Sequence, residues 1–433
     1  MLFSDYVRLI RDNYSTNVLE ENKLRKEREF AAAPLSRGIS KEKLDKLLTT
    51  KVEARRDSPP QPGTFPLIVL GHGIGYESPI NHIILCEYLA SHGYVVATAP
   101  LLGTNLPLVN LDLIDLETQV RDMEFVISRA RAFQNASRER LGLVGFDLGG
   151  MASLILQMRN TDVEAVIALD SGIMFEHNTR LLRQSPFYDP QKLRVPLMAV
   201  TGTTAEIEAT GVHEDLSLFE TAKYATTFLI RIGGMRHSDF TSLAMIEELI
   251  PGFSGPTRDH PGRHYETLCS YSLNFLDAYL KNDQKSFAFL KRRAGEIAPK
   301  EPTASVEIRS GRPSPPSEGQ FIQTLLENGF NQAARMYQEV KAEHPGIMLF
   351  RESVMNRLGY RFLYQLGNSS EAIQIFELNV EAFPASPNVY DSLAEAYLVS
   401  GDKEAAIANY KKSLELNPAN ANAVERLKEL RAR

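Results

Sequence analysis

The sequence contains no tryptophan and only two cysteines, Cys86 and Cys269. Two thiols are too few for a disulfide framework or for a thiolate metal site of the usual kind. Both lie in apolar stretches with helical spacing, so we expect buried free thiols. The sequence predicts neither a bound metal nor a cofactor.

Long apolar runs and long basic runs are also absent. No segment approaches the roughly 18 apolar residues needed to cross a bilayer, and residues 1–6 lack the charged head and apolar core of a signal peptide. The formal net charge is −6, which argues against nucleic acid and anionic membranes as partners. Taken as given, the chain is expected in the cytoplasm.

Few strand-like segments precede the first glycine loop of the chain. Its first strand-like segment, residues 66–70, leads directly into a glycine loop that in this fold usually follows two earlier strands. The alternative is that an N-terminal piece is missing. A piece that carried a secretion signal would make the protein secreted or periplasmic.

The chain has 433 residues, too many for one ordinary domain. Residues 1–63 mix charged residues and helix formers, with a short amphipathic helix predicted at 41–48 and a proline-rich linker at the end. Residues 64–297 alternate short β-rich runs with helical stretches. A linker rich in Pro and Ser is predicted over 298–318, and a helical unit over 319–433.

The alternating segments predict a doubly wound, mostly parallel sheet with helices on both faces. Strands are expected at 66–70, 94–99, 141–145, 165–169, 196–200 and 227–232. Helices are expected where apolar residues recur three or four positions apart, at 81–91, 113–133, 148–159 and 265–280.

The C-terminal region contains an internal repeat of 34 residues. Four positions of the earlier copy, Gly367, Ala372, Phe376 and Pro384, recur as Gly401, Ala406, Tyr410 and Pro418. This period is typical of tetratricopeptide repeats, although Gly359 stands where leucine is expected. A looser helix pair at 321–344 is predicted as a third unit.

Stacked helix pairs of this type form an extended concave surface, so a peptide or protein partner is expected at the repeats. A stabilising appendage or a dimer contact is the alternative, because two or three units are near the minimum for an independent array.

The segment most informative about chemistry is 145–150, Gly-Phe-Asp-Leu-Gly-Gly, which follows an apolar run. Glycines around a central polar residue are typical of the sharp strand-to-helix turn on which α/β-hydrolases carry their nucleophile. Here the central residue is Asp147. A second glycine loop, 71–75, follows the first strand, where one backbone donor of an oxyanion hole is expected. Leu148, directly after Asp147, would supply the other donor.

Two further residues complete a candidate triad. Asp170 ends the predicted strand 165–169, at the edge where functional residues collect in open α/β sheets. His237 lies on a later loop, and the order nucleophile, acid, histidine is that of α/β-hydrolases. Asp170 is therefore the candidate acid and His237 the candidate base. Glu206 is the alternative acid, helix capping is the alternative role of Asp170, and His72 is assigned to the glycine loop.

With these motifs, residues 66–290 resemble the platelet-activating-factor acetylhydrolase branch of the α/β-hydrolase superfamily, near dienelactone-hydrolase-like esterases. The motifs that carry the resemblance are 71–75, 145–150, 167–170 and 235–240. The resemblance implies hydrolysis of a small ester-like molecule. It also implies the site residues Asp147 as nucleophile, Asp170 orienting His237, and the N–H groups of Ile74 and Leu148 as oxyanion donors.

Asp147 departs from this family, which uses serine, and two alternatives follow. A carboxylate is ionised at neutral pH and attacks alkyl carbons, as in hydrolases of alkyl halides or epoxides. However, the chain lacks the tryptophan that commonly holds a halide, and residues 171–195 offer only Tyr188 where epoxide hydrolases use two tyrosines. The other alternative is a catalytically silent binding protein, because a charged carboxylate repels the oxyanion that an ester substrate forms.

Overall fold

A computed structural model describes residues 1–6, 40–75, 77–105, 108–160, 162–203, 214–253, 256–292, 304–345 and 347–432. The chain divides into two compact units, Met1–Arg312 and Pro313–Arg433. Of the helices in these ranges, none is long and apolar enough to cross a membrane.

The first unit is built on a seven-stranded sheet with the strand order β2-β1-β3-β4-β5-β6-β7. Its strands are β1 (Phe65–Gly71), β2 (Val95–Thr98), β3 (Ala136–Phe146), β4 (Val163–Leu169), β5 (Leu197–Thr203), β6 (Thr227–Gly233) and β7 (Ala304–Arg309). The first six pair in parallel, and β7 pairs antiparallel with β6. The mostly parallel sheet predicted from the sequence is confirmed.

Helices cover both faces of this sheet. The helices of this unit are α1 (Lys41–Leu48), α2 (Ile83–Ser91), α3 (Leu113–Ala130), α4 (Leu148–Arg159), α5 (Glu176–Leu182), α6 (Ser217–Thr221), α7 (Leu243–Leu249), α8 (Pro261–Leu280) and α9 (Gln284–Leu290), of which α1 packs in a separate cluster away from the sheet. Val69 of β1 packs into one core with Met123 of α3, whereas its neighbour Ile68 packs into a second core with Phe275 of α8. Because both faces of the strands are buried, the strands are continuous apolar runs. The unit therefore has a doubly wound α/β fold with a mostly parallel sheet.

β7 lies within the stretch that the sequence predicts to be a linker. It pairs with β6 from Thr227 opposite Arg309 to Ile232 opposite Ala304. None of its residues is buried, so it lacks the apolar run by which the central strands are recognised. The surrounding prolines add to the linker-like composition.

The second unit is entirely helical in the residues described. Its helices are α10 (Glu318–Asn328), α11 (Phe330–Glu343), α12 (Glu352–Tyr360), α13 (Ser369–Ala382), α14 (Pro387–Ser400), α15 (Lys403–Leu416) and α16 (Ala421–Ala432). Phe321 of α10 and Tyr337 of α11 share a core with Phe376 of α13. The third helix pair predicted from the sequence is therefore present and packs against the repeats.

The departure from the repeat consensus at Gly359 has a packing cause. A Cβ atom at this position would lie 2.5 Å from the ring of Phe376. The helix continues after Gly359 into a π-helical turn, Arg361–Gln365. Glycine thus makes room for a bulky aromatic side chain in the neighbouring helix.

Candidate active site

Asp147 lies in the sharp turn between β3 and α4, in a backbone conformation that few side-chain-bearing residues adopt (φ 51°, ψ −118°). The turn depends on close backbone approach, since a Cβ atom at Gly149 would lie 2.2 Å from the carbonyl oxygen of Gly71. The tight connection therefore places Asp147 beside the loop that follows β1.

The carboxylate of Asp147 accepts a hydrogen bond from one of the two backbone N–H groups assigned to an oxyanion hole: the N–H of Ile74 donates to Oδ2 at 3.0 Å. The N–H of Leu148, the second of these groups, also lowers the pKa of the Asp147 carboxyl group. Gly73 permits this position, because a Cβ atom there would lie 2.9 Å from Oδ2. Burial is the largest influence on the pKa of Asp147 and raises it above its usual value, although both N–H groups lower it in part.

The side chains of Asp170 and His237 are in contact. Nδ1 of His237 lies 2.7 Å from Oδ2 of Asp170, while Oδ1 of Asp170 accepts hydrogen bonds from the Thr201 hydroxyl at 3.0 Å and the Gly202 N–H at 3.4 Å. Asp170 directly follows β4, and Thr201 lies in β5, the next strand of the sheet. This contact leaves Nε2 of His237 as the nitrogen available for proton transfer.

His237 begins a short 3₁₀ helix and packs on the ring of Phe146, with ring centroids 4.6 Å apart. Burial of the imidazole lowers its pKa, whereas the hydrogen bond and charge of Asp170 raise it. The negative charges of Asp147 and Glu77 raise it further, so the pKa of His237 lies above its usual value. The imidazolium form is therefore favoured while both carboxylates are charged.

His72 has a structural role in the glycine loop. It is fully buried, its Nε2 accepts a hydrogen bond from the N–H of Leu101 at 2.8 Å, and its backbone carbonyl accepts one from Gln119. Burial is the main cause that lowers the pKa of His72 to about 4. It anchors the loop that carries Ile74.

Glu77 and His82 were missed by the sequence analysis. Nε2 of His82 lies 3.1 Å from one carboxylate oxygen of Glu77, and the amide of Asn81 donates to the other oxygen at 2.7 Å. Glu77 stands alone after the glycine loop, without the repeated spacing or strand-end position that drew attention to the triad. The one sequence feature that could have pointed to Glu77 is its position three residues after Ile74.

Glu77, Asp147 and His237 line a cleft of about 370 Å³. Its polar lining consists of Glu77, Asn81, Asp147, His237, Ser238, Thr241 and Ser242. Its apolar lining consists of Ile74, Ile80, Phe146, Leu243 and Ile246. Two carboxylates and an imidazole on an apolar wall suit a small, largely apolar ligand.

The remaining candidates from the sequence are placed as follows. Glu206, the alternative acid, lies outside the described residues. Cys86 and Cys269 are free thiols, of which Cys269 is buried and Cys86 partly buried. Among the residues that the structure describes, no group of three or more His, Cys, Asp or Glu side chains is arranged to hold a metal ion.

Comparison with known proteins gives one family match. A family model for the tetratricopeptide repeat matches residues 387–420, which span α14 and α15. Among curated proteins, none matches the chain significantly. Among solved structures, the chain is similar to a ferulic acid esterase from Streptomyces cinnamoneus, with 20% identity and a TM-score of 0.46 over 61% of this chain and 80% of that one. The chain therefore combines a mostly parallel α/β domain with a C-terminal helical unit that contains a tetratricopeptide repeat.

Proposed function

We propose that the α/β domain is a hydrolase in which the carboxylate of Asp147 attacks an electrophilic alkyl carbon and His237 promotes hydrolysis of the resulting ester. The observation that carries this proposal is the hydrogen bond from the N–H of Ile74 to Oδ2 of Asp147. Because Asp147 already engages the N–H of Ile74, this donor is not vacant for the carbonyl oxygen of a substrate.

In the first step, Oδ1 of Asp147 attacks the alkyl carbon, and the leaving group departs with the electron pair of its bond to that carbon. A halide or an epoxide oxygen is a suitable leaving group. The product is an ester between the alkyl group and Asp147. Ser238 lines the cleft with a hydroxyl group, which is a hydrogen-bond donor for the departing anion in a chain that has no tryptophan.

In the second step, His237 accepts a proton from water through Nε2, and the hydroxide attacks Cγ of Asp147. The negative charge of the tetrahedral intermediate develops on Oδ2, the oxygen that faces the N–H of Ile74. Collapse of the intermediate releases the alcohol, which takes its proton from His237. The carboxyl group of Asp147 then loses the remaining proton to water, which regenerates the carboxylate. The same donors that oppose ester substrates thus stabilise hydrolysis of the enzyme's own ester.

The charge of Asp147 links the two steps. In the free enzyme this charge contributes to the raised pKa of His237. Formation of the ester removes the charge, so the pKa of His237 falls and the imidazole becomes a base when a base is required.

The carboxylic ester hydrolysis implied by the resemblance is less well supported by this geometry. An ester substrate would need its carbonyl oxygen at the position that Oδ2 of Asp147 occupies. If Oδ2 were displaced, the largely buried carboxylate of Asp147 would lie beside the developing oxyanion of the substrate. Two negative charges this close together repel each other.

Isotope incorporation during a single turnover tests the proposal. The intact chain, in excess over a panel of primary alkyl bromides and terminal epoxides, is allowed to react once in H₂¹⁸O, and the peptide that contains Asp147 is then weighed. We expect one ¹⁸O atom in the Asp147 carboxylate, and none in the Asp147→Ala variant. Turnover without label would contradict the carboxylate nucleophile, and absence of turnover with retained ligand binding would favour a binding protein.

For the helical unit we propose a peptide or protein partner. The support is the repeat match at residues 387–420, because stacked helix pairs of this type form a concave binding surface. Tyr364 and Leu366 expose apolar side chains on this unit. Co-purification of a single defined partner with residues 313–433, lost on Tyr364→Ala, would support this role.

A further inference from the structure

We propose that Glu77 makes the cleft selective for ligands that carry a positive charge, such as a protonated amine or a quaternary ammonium group. This inference rests on the proposed function for its place in catalysis, because it names the substrate class of the same cleft. Its test measures binding and does not require turnover.

The charges that line the cleft are mostly negative. Glu77 and Asp147 contribute carboxylates, and no Lys or Arg is present among the described lining residues. The lining imidazole, His237, is paired with the carboxylate of Asp170, so its positive charge is already balanced. A cation entering the cleft is attracted by the carboxylates of Glu77 and Asp147, whereas an anion is repelled by both.

Glu77 is held in place as a charged group. Its side chain is only 16% exposed, and its two oxygens are fixed by Asn81 and His82. Burial raises the pKa of Glu77, but the hydrogen bond and charge of His82, together with Asn81, bring it below its usual value. His82 itself is fully buried and is not part of the cleft lining, so the carboxylate is the charged face of this pair.

Glu77 and Asp147 have different tasks. Asp147 lies on the β3–α4 turn, and the backbone donors fix one of its oxygens. Glu77 lies on the loop after β1, bounded by Ile74 and Ile80 on the apolar part of the wall. A substrate with a cationic end and a short alkyl segment would place its charge at Glu77 and an alkyl carbon at Asp147.

Three ligands of nearly equal shape separate charge from size: choline, its neutral isostere 3,3-dimethylbutan-1-ol, and the anion 3,3-dimethylbutanoate. Calorimetric titration of the full chain should show that choline binds at least about tenfold more tightly than the alcohol, which is the effect of one charged contact. The anion should bind most weakly of the three. Equal affinities for choline and the alcohol, or no binding of any of them, would overturn the proposal.

Two variants and a control assign the effect to Glu77. Glu77→Gln should abolish the preference for choline, and Glu77→Asp, which keeps the charge, should retain part of it. Glu139→Gln removes an exposed charge from β3 and should leave the preference unchanged. A preference that survives Glu77→Gln would contradict the assignment. If the protein prefers choline but takes up no ¹⁸O at Asp147, only the proposed chemistry is refuted. If it takes up ¹⁸O at Asp147 but shows no preference for choline, only the role of Glu77 is refuted.

Discussion

Oδ2 of Asp147 lies 3.0 Å from the backbone nitrogen of Ile74, so the side chain at the centre of the strand-to-helix turn supplies its own oxygen to the neighbouring donors. A serine at this position would leave these donors for an oxygen of the substrate. The identity of one residue therefore decides whether the donors stabilise charge on the substrate or on an ester of the protein itself.

The His237→Ala variant should stop after the first chemical step. Attack by Asp147 does not use the imidazole, whereas hydrolysis of the ester requires a base. We expect the alkyl group of a substrate to accumulate on the peptide that contains Asp147, detected by intact-mass and peptide mass spectrometry, with steady-state turnover reduced at least about a hundredfold. The exposed His92, changed to Ala, serves as the control. Full turnover in His237→Ala would remove His237 from the mechanism.

The pKa of His237 should fall in a defined order when its neighbours lose their charge. Each carboxylate stabilises the imidazolium, so its removal lowers the pKa. Asp170→Asn should produce the largest decrease, Asp147→Asn a smaller one and Glu77→Gln the smallest, following the order of their contributions. NMR titration of the Cε1 proton of His237 measures these shifts. An increase in any of the three variants would contradict the charge assignment.

Asp147→Asn should stabilise the fold at neutral pH. The folded-state pKa of Asp147 is raised, chiefly by burial, so the unfolded chain ionises first and the charged carboxylate costs stability once the pH exceeds its unfolded-state pKa. We expect the Tm at pH 7 to rise by about 2–4 °C, the effect of about 1 kcal/mol in a domain of comparable size.

The gain in Tm should shrink as the pH is lowered to about 4, where about half of the unfolded-state carboxyl group is protonated. Calorimetry at both pH values measures the difference. Asp259→Asn, at an exposed site, is the control. A lower Tm for Asp147→Asn at pH 7 would contradict this prediction, because it would mean that the charged carboxylate stabilises the folded protein.

Gly359→Ala should destabilise the helical unit by about 1–3 kcal/mol, because the added methyl group overlaps the ring of Phe376. Chemical denaturation of residues 313–433 measures this change. Gly359→Ala should cost less stability in a Phe376→Leu background than in the unaltered chain, because leucine leaves room for the methyl group. An equal cost in both backgrounds would exclude the contact with Phe376 as the cause. Gly319→Ala, where the nearest atom lies 3.8 Å away, is the control.

The central strands were recognisable from the sequence because strands buried on both faces are continuous apolar runs. The approach of Asp170 to His237 was also predictable, since adjacent parallel strands end at one edge of the sheet. The orientation of the Asp147 carboxylate was not, because it depends on a backbone N–H group 73 residues away in the chain and on the space left by Gly73. Glu77 was not predicted for a related reason. Its role depends on its contacts with Asn81 and His82, and no local sequence pattern indicates these contacts.

The antiparallel strand β7 has a consequence for how the α/β domain can be isolated. Strands with an open edge present unpaired N–H and C=O groups, and other chains add to such edges and aggregate. β7 covers β6 along Thr227–Ile232. A fragment cut at residue 297, the domain end suggested by composition, would leave the apolar strand β6 as the open edge and self-associate. A fragment that ends after Arg312 would keep the exposed, partly charged strand β7 at that edge, which is less prone to pair with other chains.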